Sequence, residues 1–397
     1  MSSHARAATG VVLVGNFVMA CAVMVVPGML DALAADLRVS VPQAGQLLSL
    51  ASLALCLGAP ALAALTSRVD RRLLLVVSLL AVALGHAACA LAPDHPTLLA
   101  IRPWSVLGAA VFTPQGAAVV GTLVPPERRA TAVTTVFLGW SAAAVVAMPL
   151  GSLVAGTLGW RAAFVLIAVA ALLCALAVWR AIPRGLQVPA LSLQSRLQVA
   201  RDRRLVAILA ATALWCTGQF IALGYIAPTL RHAAGVPLAM TAALMAVQGV
   251  AGLAGATWLA REVGRVGAGR SASLALGLIL CGLLLWGGAV ALRLPAAGFA
   301  VVMAVWGLGS FAFVSSQQAR LAMAAPALAS ASIALNSASL YAGQAAGAWV
   351  GGVLVGHVGY GALGFAGAAA VALALGVSLG AEAARSSNPG PAPGGSP

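Results

Sequence analysis

Only eight residues of this 397-residue chain carry a carboxylate, and their placement limits the ionic chemistry it can do. Asp36, Asp70, Asp94, Glu127, Asp202, Glu262 and Glu382 stand in polar connections or at the ends of apolar stretches. Asp31 alone lies at the border of an apolar run, about one turn past Pro27. His86 lies inside another apolar run. Apolar surroundings favour the protonated form of a carboxyl, and an ordinary histidine titrates near neutrality. Asp31 and His86 are therefore the two candidates for taking up and releasing a proton. A solvated helix end for Asp31 and a neutral packing residue for His86 are the alternatives. No other reaction is signalled. There is no HExxH, GxSxG or phosphate loop. The six cysteines, Cys21, Cys56, Cys89, Cys174, Cys216 and Cys281, form no CxxC pair or metal spacing. An enzyme is not expected, and neither is a cofactor or a metal.

The surroundings of these residues explain the scarcity of charge. Hydrophobic residues make up 62% of the chain and charged residues 8%, against about 25% charged in a soluble domain. Windows of roughly 20 apolar residues, the length that crosses a bilayer, fall at 8–30, 42–66, 72–92, 98–123, 131–157, 160–182, 205–229, 237–261, 270–292, 296–320, 328–356 and 360–382. The runs are unbroken, so they are helices rather than the alternating strands of a barrel. The run from Ala8 to Leu30 is too long for a signal-peptide core. All 22 basic residues are arginine. With a cytoplasmic N-terminus, only Arg38, Arg102, Arg161, Arg231 and Arg293 fall outside. That bias places both termini in the cytoplasm. It also explains the net charge of +14 without a nucleic-acid partner. Arginine without lysine suggests a GC-rich bacterium, and hence a bacterial inner membrane.

The expected organisation is a six-helix bundle over 1–182, a cytoplasmic linker over 183–204, a second six-helix bundle over 205–382 and a disordered tail over 383–397. In the linker, Leu193, Leu197, Ala200 and Arg204 recur at helical spacing. This fits either a short amphipathic helix at the membrane surface or a solvated basic linker. The bundles repeat each other. Gly151, Gly156, Gly159 and Trp160 correspond to Gly351, Gly356, Gly359 and Tyr360, each 200 positions on. Pro126 and Pro326 share that offset, and Pro27 and Pro228 differ from it by one. Six spans per half give parallel repeats about an axis along the membrane normal.

Five segments in this order resemble the major facilitator superfamily, in its drug and metabolite efflux branch of arabinose-efflux-permease-like proteins. They are GMLDALAADLRVS (28–40), GAPALAALTSRVDRR (58–72), VPPERRATA (124–132), AMPLGSLVAGTLGWRAAF (147–164) and GYIAPTL (224–230). The resemblance covers about 8–382. It implies an all-α membrane protein of twelve transmembrane helices in two pseudo-symmetric bundles. It implies gating roles for the loop after the second span, with Ser67, Arg68, Asp70, Arg71 and Arg72. Relatives carry an aspartate where this chain has Ser67, and Asp70 could replace it from one turn on. A purely topological role for these arginines is the alternative. Pro149, Gly151 and Gly156 in the fifth span match an exporter pattern, in which a bent, smooth helix seals one side. Ordinary glycine packing is the alternative. Relatives also carry a membrane-embedded glutamate where this chain has Val23.

In such a fold the substrate sits between the halves. Candidate binding residues are then Asn16, Phe17, Phe112, Gln115, Trp140, Trp215, Gln219, Tyr225, Gln248, Trp306, Gln317, Asn336, Tyr341 and Gln344, with interhelical packing as the alternative for each. Amides and aromatics without a charge suit neutral or weakly amphipathic molecules. Arg102 and Arg320 are read as lying at span ends. The expectation is a monomeric secondary exporter with a small-molecule substrate, protons as coupling ion and membrane lipids around it. An uncoupled exporter of a sugar or metabolite, or a non-transporting sensor or scaffold, are the rivals.

Overall fold

Hydrocarbon offers a backbone no hydrogen-bond partner, so the apolar runs must fold into helices that pair their own N–H and C=O groups. The computed structural model describes residues 3–186 and 193–386. Its first half holds α1 (Ser3–Met24), α2 (Val26–Asp36), α3 (Val41–Leu65), α4 (Arg71–Leu91), α5 (His95–Leu123), α6 (Arg129–Thr157) and α7 (Trp160–Ala181). A short linker helix, α8 (Leu193–Arg201), follows. The second half holds α9 (Arg203–Leu223), α10 (Ile226–Pro228), which runs on into a π-helical turn over Thr229–Ala233, α11 (Leu238–Val266), α12 (Ala268–Ala291), α13 (Ala296–Ala324), α14 (Ala329–His357) and α15 (Ala362–Ser386). There is no β-strand among the described residues. The twelve expected spans are present in two six-helix bundles, and two of them, the first and the seventh, are broken.

Polar caps set the helix starts. Ser40 and Gln43 form a reciprocal capping box ahead of α3. Asp70, Asp94 and Asp202 each accept a backbone N–H in the first turn of α4, α5 and α9. Three of the eight acids thus act as helix caps. At the far end of α6 and of α14 the chain turns through Gly159 (φ +86°) and Gly359 (φ +99°), a backbone region that favours glycine.

The internal repeat is exact in the fifth and eleventh spans. α6 and α14 begin and end 200 residues apart, each behind a 3-10 turn that opens on Pro126 or Pro326. The break of the first span at Val25 recurs at Gly224 and Tyr225 between α9 and α10. Among the described residues, eleven helical stretches are long and apolar enough to cross a membrane. The expected span that falls short is α14, 29 residues long like α6. Its polar residues are not loop residues: Ser332, Asn336 and Gln344 are buried.

Several boundaries differ from expectation, and so does the packing of the linker. α15 continues to Ser386, past the expected end at 382. The linker does form a helix, but Leu197 is exposed while Val199 is buried, clustered with Leu205, Ile208, Leu209, Leu321 and Ala331. The linker helix therefore uses a different apolar face and packs on the second bundle. Residues 187–192 and the Pro/Gly-rich segment 387–397 lie outside the described residues.

The halves meet along two seams, α3 against α14 and α6 against α11. Small residues allow close approach there. A Cβ on Gly45 would fall 2.1 Å from the Tyr225 hydroxyl, one on Gly156 2.3 Å from Leu238, and one on Gly249 2.6 Å from the Val145 backbone. These positions lie toward the Arg-poor ends of their helices. Closer to the Arg-rich ends the pattern changes: Gly252 and Gly255 face Phe311 and Leu308, and Gly139 faces Leu13 and Phe17, all within one half. The bundles are closed against each other at the Arg-poor side.

Packing at such glycines is directly testable. A Cβ at Gly255 would sit 1.8 Å from the Leu308 carbonyl oxygen, whereas one at Gly277 meets open space. Overpacking of this kind costs about 1–3 kcal/mol or more. Thermal unfolding in detergent should show Gly255→Val clearly destabilised and Gly277→Ala unchanged or slightly more stable.

Candidate functional site

Asp31 lies on α2, at the Arg-poor end, with its side chain 10% exposed. Its partners come from the other half. Oδ1 lies 3.0 Å from His232 Nε2 and Oδ2 lies 3.5 Å from Arg231 Nη1. His232 also stacks on Tyr360 with ring centroids 6.2 Å apart. Asp31 is therefore the acid of an ionic cluster that ties the first span to the seventh. Asp36 makes a different tie, within its own half. It accepts a 2.8 Å hydrogen bond from Trp160 Nε1 and an ion pair from Arg161, which also donates to the Ala92 carbonyl. The Trp160 and Arg161 donors hold the Asp36 carboxyl below the usual carboxylate range.

His86 is fully buried on α4. Its Nδ1 lies 2.9 Å from the Val82 carbonyl and its Nε2 3.1 Å from Arg102 Nη1. The carbonyl can only accept and the guanidinium can only donate. The ring is thus the neutral tautomer with its proton on Nδ1, and a proton added at Nε2 would break the bond to Arg102. Arg102 itself corrects the sequence reading. It is not at a span end: it lies two turns inside α5, 1% exposed. Its Nη2 donates at 2.6 Å to the Ala22 carbonyl beside the break between α1 and α2. Arg320, also read as a span end, is 3% exposed on α13 and bonds Glu382 and Ser378.

A small cavity of about 40 Å³ lies between the halves. It is lined by Met24 and Pro27, Ala144 and Met148 from one side and by Gln219, Phe220, Gln248, Ser310 and Phe311 from the other. Of the fourteen expected binding residues, Gln219 and Gln248 reach it. Gln219 is held rigidly: its Oε1 accepts from Trp306 Nε1 at 2.8 Å and its Nε2 donates to Ser310 at 3.0 Å. The Gln248 amide has no hydrogen-bond partner among the described residues.

Other members of the expected set are occupied in structure. Asn16 Nδ2 donates to the Val136 carbonyl, Trp140 to Thr113, and Tyr225 to the Ala348 carbonyl. Gln317 donates to Thr212 and to the Ile208 carbonyl, while Thr212 donates to Asn336. Phe112 fills the first bundle against Gly15, and Phe17 packs beside it. Tyr341 and Gln344 are buried on α14. Within the expected set, three buried polar atoms have no partner among the described residues: Asn16 Oδ1, Gln115 Oε1 and Trp215 Nε1. They come from the first, fourth and seventh spans.

The loop after the second span acts within the first half. Arg71 is buried and donates to the Thr66 and Ser67 carbonyls at the end of α3, at 3.1 and 2.8 Å. Asp70 caps α4 and accepts from the Gly185 N–H at 2.7 Å. Arg72 lies over the Trp179 ring at 4.1 Å, and Arg68 is exposed. Asp70 therefore joins the loop to the linker rather than pairing with Arg68. In α6, Pro149 lies between Met148, whose carbonyl faces Gly28 of α2, and Gly151, which faces Val25 at the first-span break. Gly156 alone of these three reaches the other half.

Arg231, His232 and Ser310 were missed by sequence reasoning. The proline at 228, matching Pro27, is the one signal that the turns bearing Asp31 and His232 are counterparts.

Comparison with known proteins agrees with this architecture. The Major Facilitator Superfamily model matches residues 12–332. The chloramphenicol resistance protein of Streptomyces lividans is 31% identical over 338 residues, covering 83% of this chain and 84% of that one. The inner membrane transport protein YdhP of Escherichia coli (strain K12) is 28% identical over 357 residues, covering 88% and 89%. The crystal structure of a D-xylose-proton symporter superposes with a TM-score of 0.75 at 18% identity, covering 95% and 97%.

The Asp36 tie makes a pH prediction. Because its folded-state pKa is lowered, its stabilisation is complete above the unfolded pKa of about 4 and is lost as pH falls through the lower folded value. The pair is half-exposed, so the effect is at most about 1 kcal/mol. The melting temperature of Asp36→Asn should lie slightly below wild type at pH 7, and the gap should close only in strong acid.

Proposed function

The chain belongs to the Major Facilitator Superfamily, and we propose that it is a secondary exporter of small, neutral or amphipathic organic molecules, driven by proton antiport. The observation that carries this reading is the seam. Two bundles close around a small uncharged cavity at one side, held there by an ionic cluster that a single proton can weaken. The arginine bias makes the Arg-rich side cytoplasmic, with both termini there. The closed side is then external, and a bacterial inner membrane fits the relative named for it.

Asp31 is the proton carrier in this scheme. Protonated, it no longer attracts Arg231 and His232, and the external ends of the first and seventh spans can part. Ionised, it draws them together again. His86 is committed to Arg102 and stays neutral. Substrate enters from the cytoplasmic side and meets Met24, Met148, Phe220 and Phe311, which adapt to varied apolar shapes. The free amide of Gln248 supplies a hydrogen bond. No charge faces the cavity, which favours neutral substrates, and chloramphenicol, named for the Streptomyces relative, is the first compound to try. An uncoupled exporter is the second reading, favoured by the buried Val23 where relatives carry glutamate.

Everted membrane vesicles with an acidified lumen test both. Chloramphenicol or another neutral antibiotic should release protons from vesicles that contain the protein and not from vesicles without it. Asp31→Asn should abolish that release and keep substrate counterflow, while Asp36→Asn should leave both intact. Gln248→Ala should weaken apparent affinity about five- to tenfold, the loss of one hydrogen bond. Counterflow without proton movement in wild type would establish the uncoupled reading. Neither signal for any neutral compound would refute both.

A further inference from the structure

A second cavity, far larger than the one at the seam, lies away from it. It measures about 1290 Å³, and every residue lining it belongs to the second half. It sits where the Arg-rich end of α11 parts from the start of α12 and the end of α15. A space bounded by one bundle, with α12 and α15 in its wall, cannot be the passage between bundles.

The lining is divided by polarity. At the Arg-rich rim stand Arg204, Arg270, Arg320 and Glu382. Glu382 pairs with Arg320 at 2.9 Å. Arg204 and Arg270 have no acidic partner among the described residues, and Arg204 Nε is buried without a hydrogen bond. Deeper, the walls are apolar and open outward, with Leu274 50% and Leu379 52% exposed, while Met323, 65% exposed, adds apolar surface at the rim. The volume exceeds the roughly 300–1,000 Å³ of common small-molecule clefts.

We propose that this cavity binds one anionic phospholipid of the adjoining leaflet, its phosphate between Arg204 and Arg270 and an acyl chain along α12 and α15. A soluble anion would satisfy the arginines and leave the apolar wall bare. A neutral amphiphile would fill the wall and leave two arginines unpaired. A membrane anion does both, and basic pockets between transmembrane helices are suited to lipid head groups. The site is independent of what the protein carries.

Native mass spectrometry of the full-length protein, with dioleoyl-phosphatidylglycerol or dioleoyl-phosphatidylcholine added, tests this without any transport assay. Wild type should retain one phosphatidylglycerol with a preference of about 30-fold over phosphatidylcholine, the weight of two arginines beside a membrane anion. Arg204→Gln/Arg270→Gln should lose the preference. Arg270→Gln alone, an exposed position that should not disturb folding, should lose about fivefold. Gly277→Phe puts a side chain into open space in the cavity and should lose retention of both lipids with the arginines intact. Equal retention of the two lipids by wild type, or a preference that survives Arg204→Gln/Arg270→Gln, would overturn the proposal. Displacement of phosphatidylglycerol by millimolar inorganic phosphate, with no effect of Gly277→Phe, would make it a soluble-anion site instead.

Discussion

Every break in a helix that crosses hydrocarbon leaves a carbonyl that water cannot reach, and each such group left unpaired costs several kcal/mol. In this protein a buried arginine answers that constraint at one break, and a tyrosine and an asparagine add ties to carbonyls inside unbroken helices. At the break of the first span Arg102 reaches 2.6 Å to the Ala22 carbonyl and is itself steadied by His86. Tyr225, at the matching break of the seventh span, reaches the Ala348 carbonyl of α14. Asn16 secures the Val136 carbonyl of α6. Once these commitments are made, few polar groups are free. Of the expected binding residues, Gln248 and the unpaired atoms of Asn16, Gln115 and Trp215 are the ones left without a partner among the described residues.

The broken spans also place the ionic cluster. α2 and the turn after α10 are the short segments beyond the two breaks, and Asp31, Arg231 and His232 lie on them. Around them the seam is smooth: glycine against tyrosine, leucine and backbone. Smooth surfaces slide and part with little steric cost, so the ionic contacts can decide whether that side is closed. At the other side the linker helix packs on the second bundle through Val199 and touches the first through Arg196, which donates to the Pro60 carbonyl. It can thus bridge the halves at their far ends.

The fold was legible because it rests on long, unmixed apolar runs and on a repeat written in glycine and proline. The 200-residue offset even secures α14, whose hydropathy alone falls short. The site was less legible, because its partners are remote in sequence. Nothing near Asp31 names His232, two hundred residues away. Arg102 misled for a local reason. Its apolar window begins at 98, so it reads as a span end, yet Asp94 caps the helix a turn earlier and carries Arg102 inside. Aromatic and amide residues on the expected spans were correctly placed within helices, but sequence cannot show which of them spend their hydrogen bonds on neighbouring helices.

The most direct measurement is the distance between spin labels at the Arg-poor ends of the two halves, at Leu158 after α6 and Val358 after α14. Both residues are well exposed. Pulsed electron resonance should find a short distance in wild type at neutral pH. A second, longer population should dominate in Asp31→Asn. A single short distance that Asp31→Asn does not change would contradict the claim that this cluster holds the Arg-poor side closed.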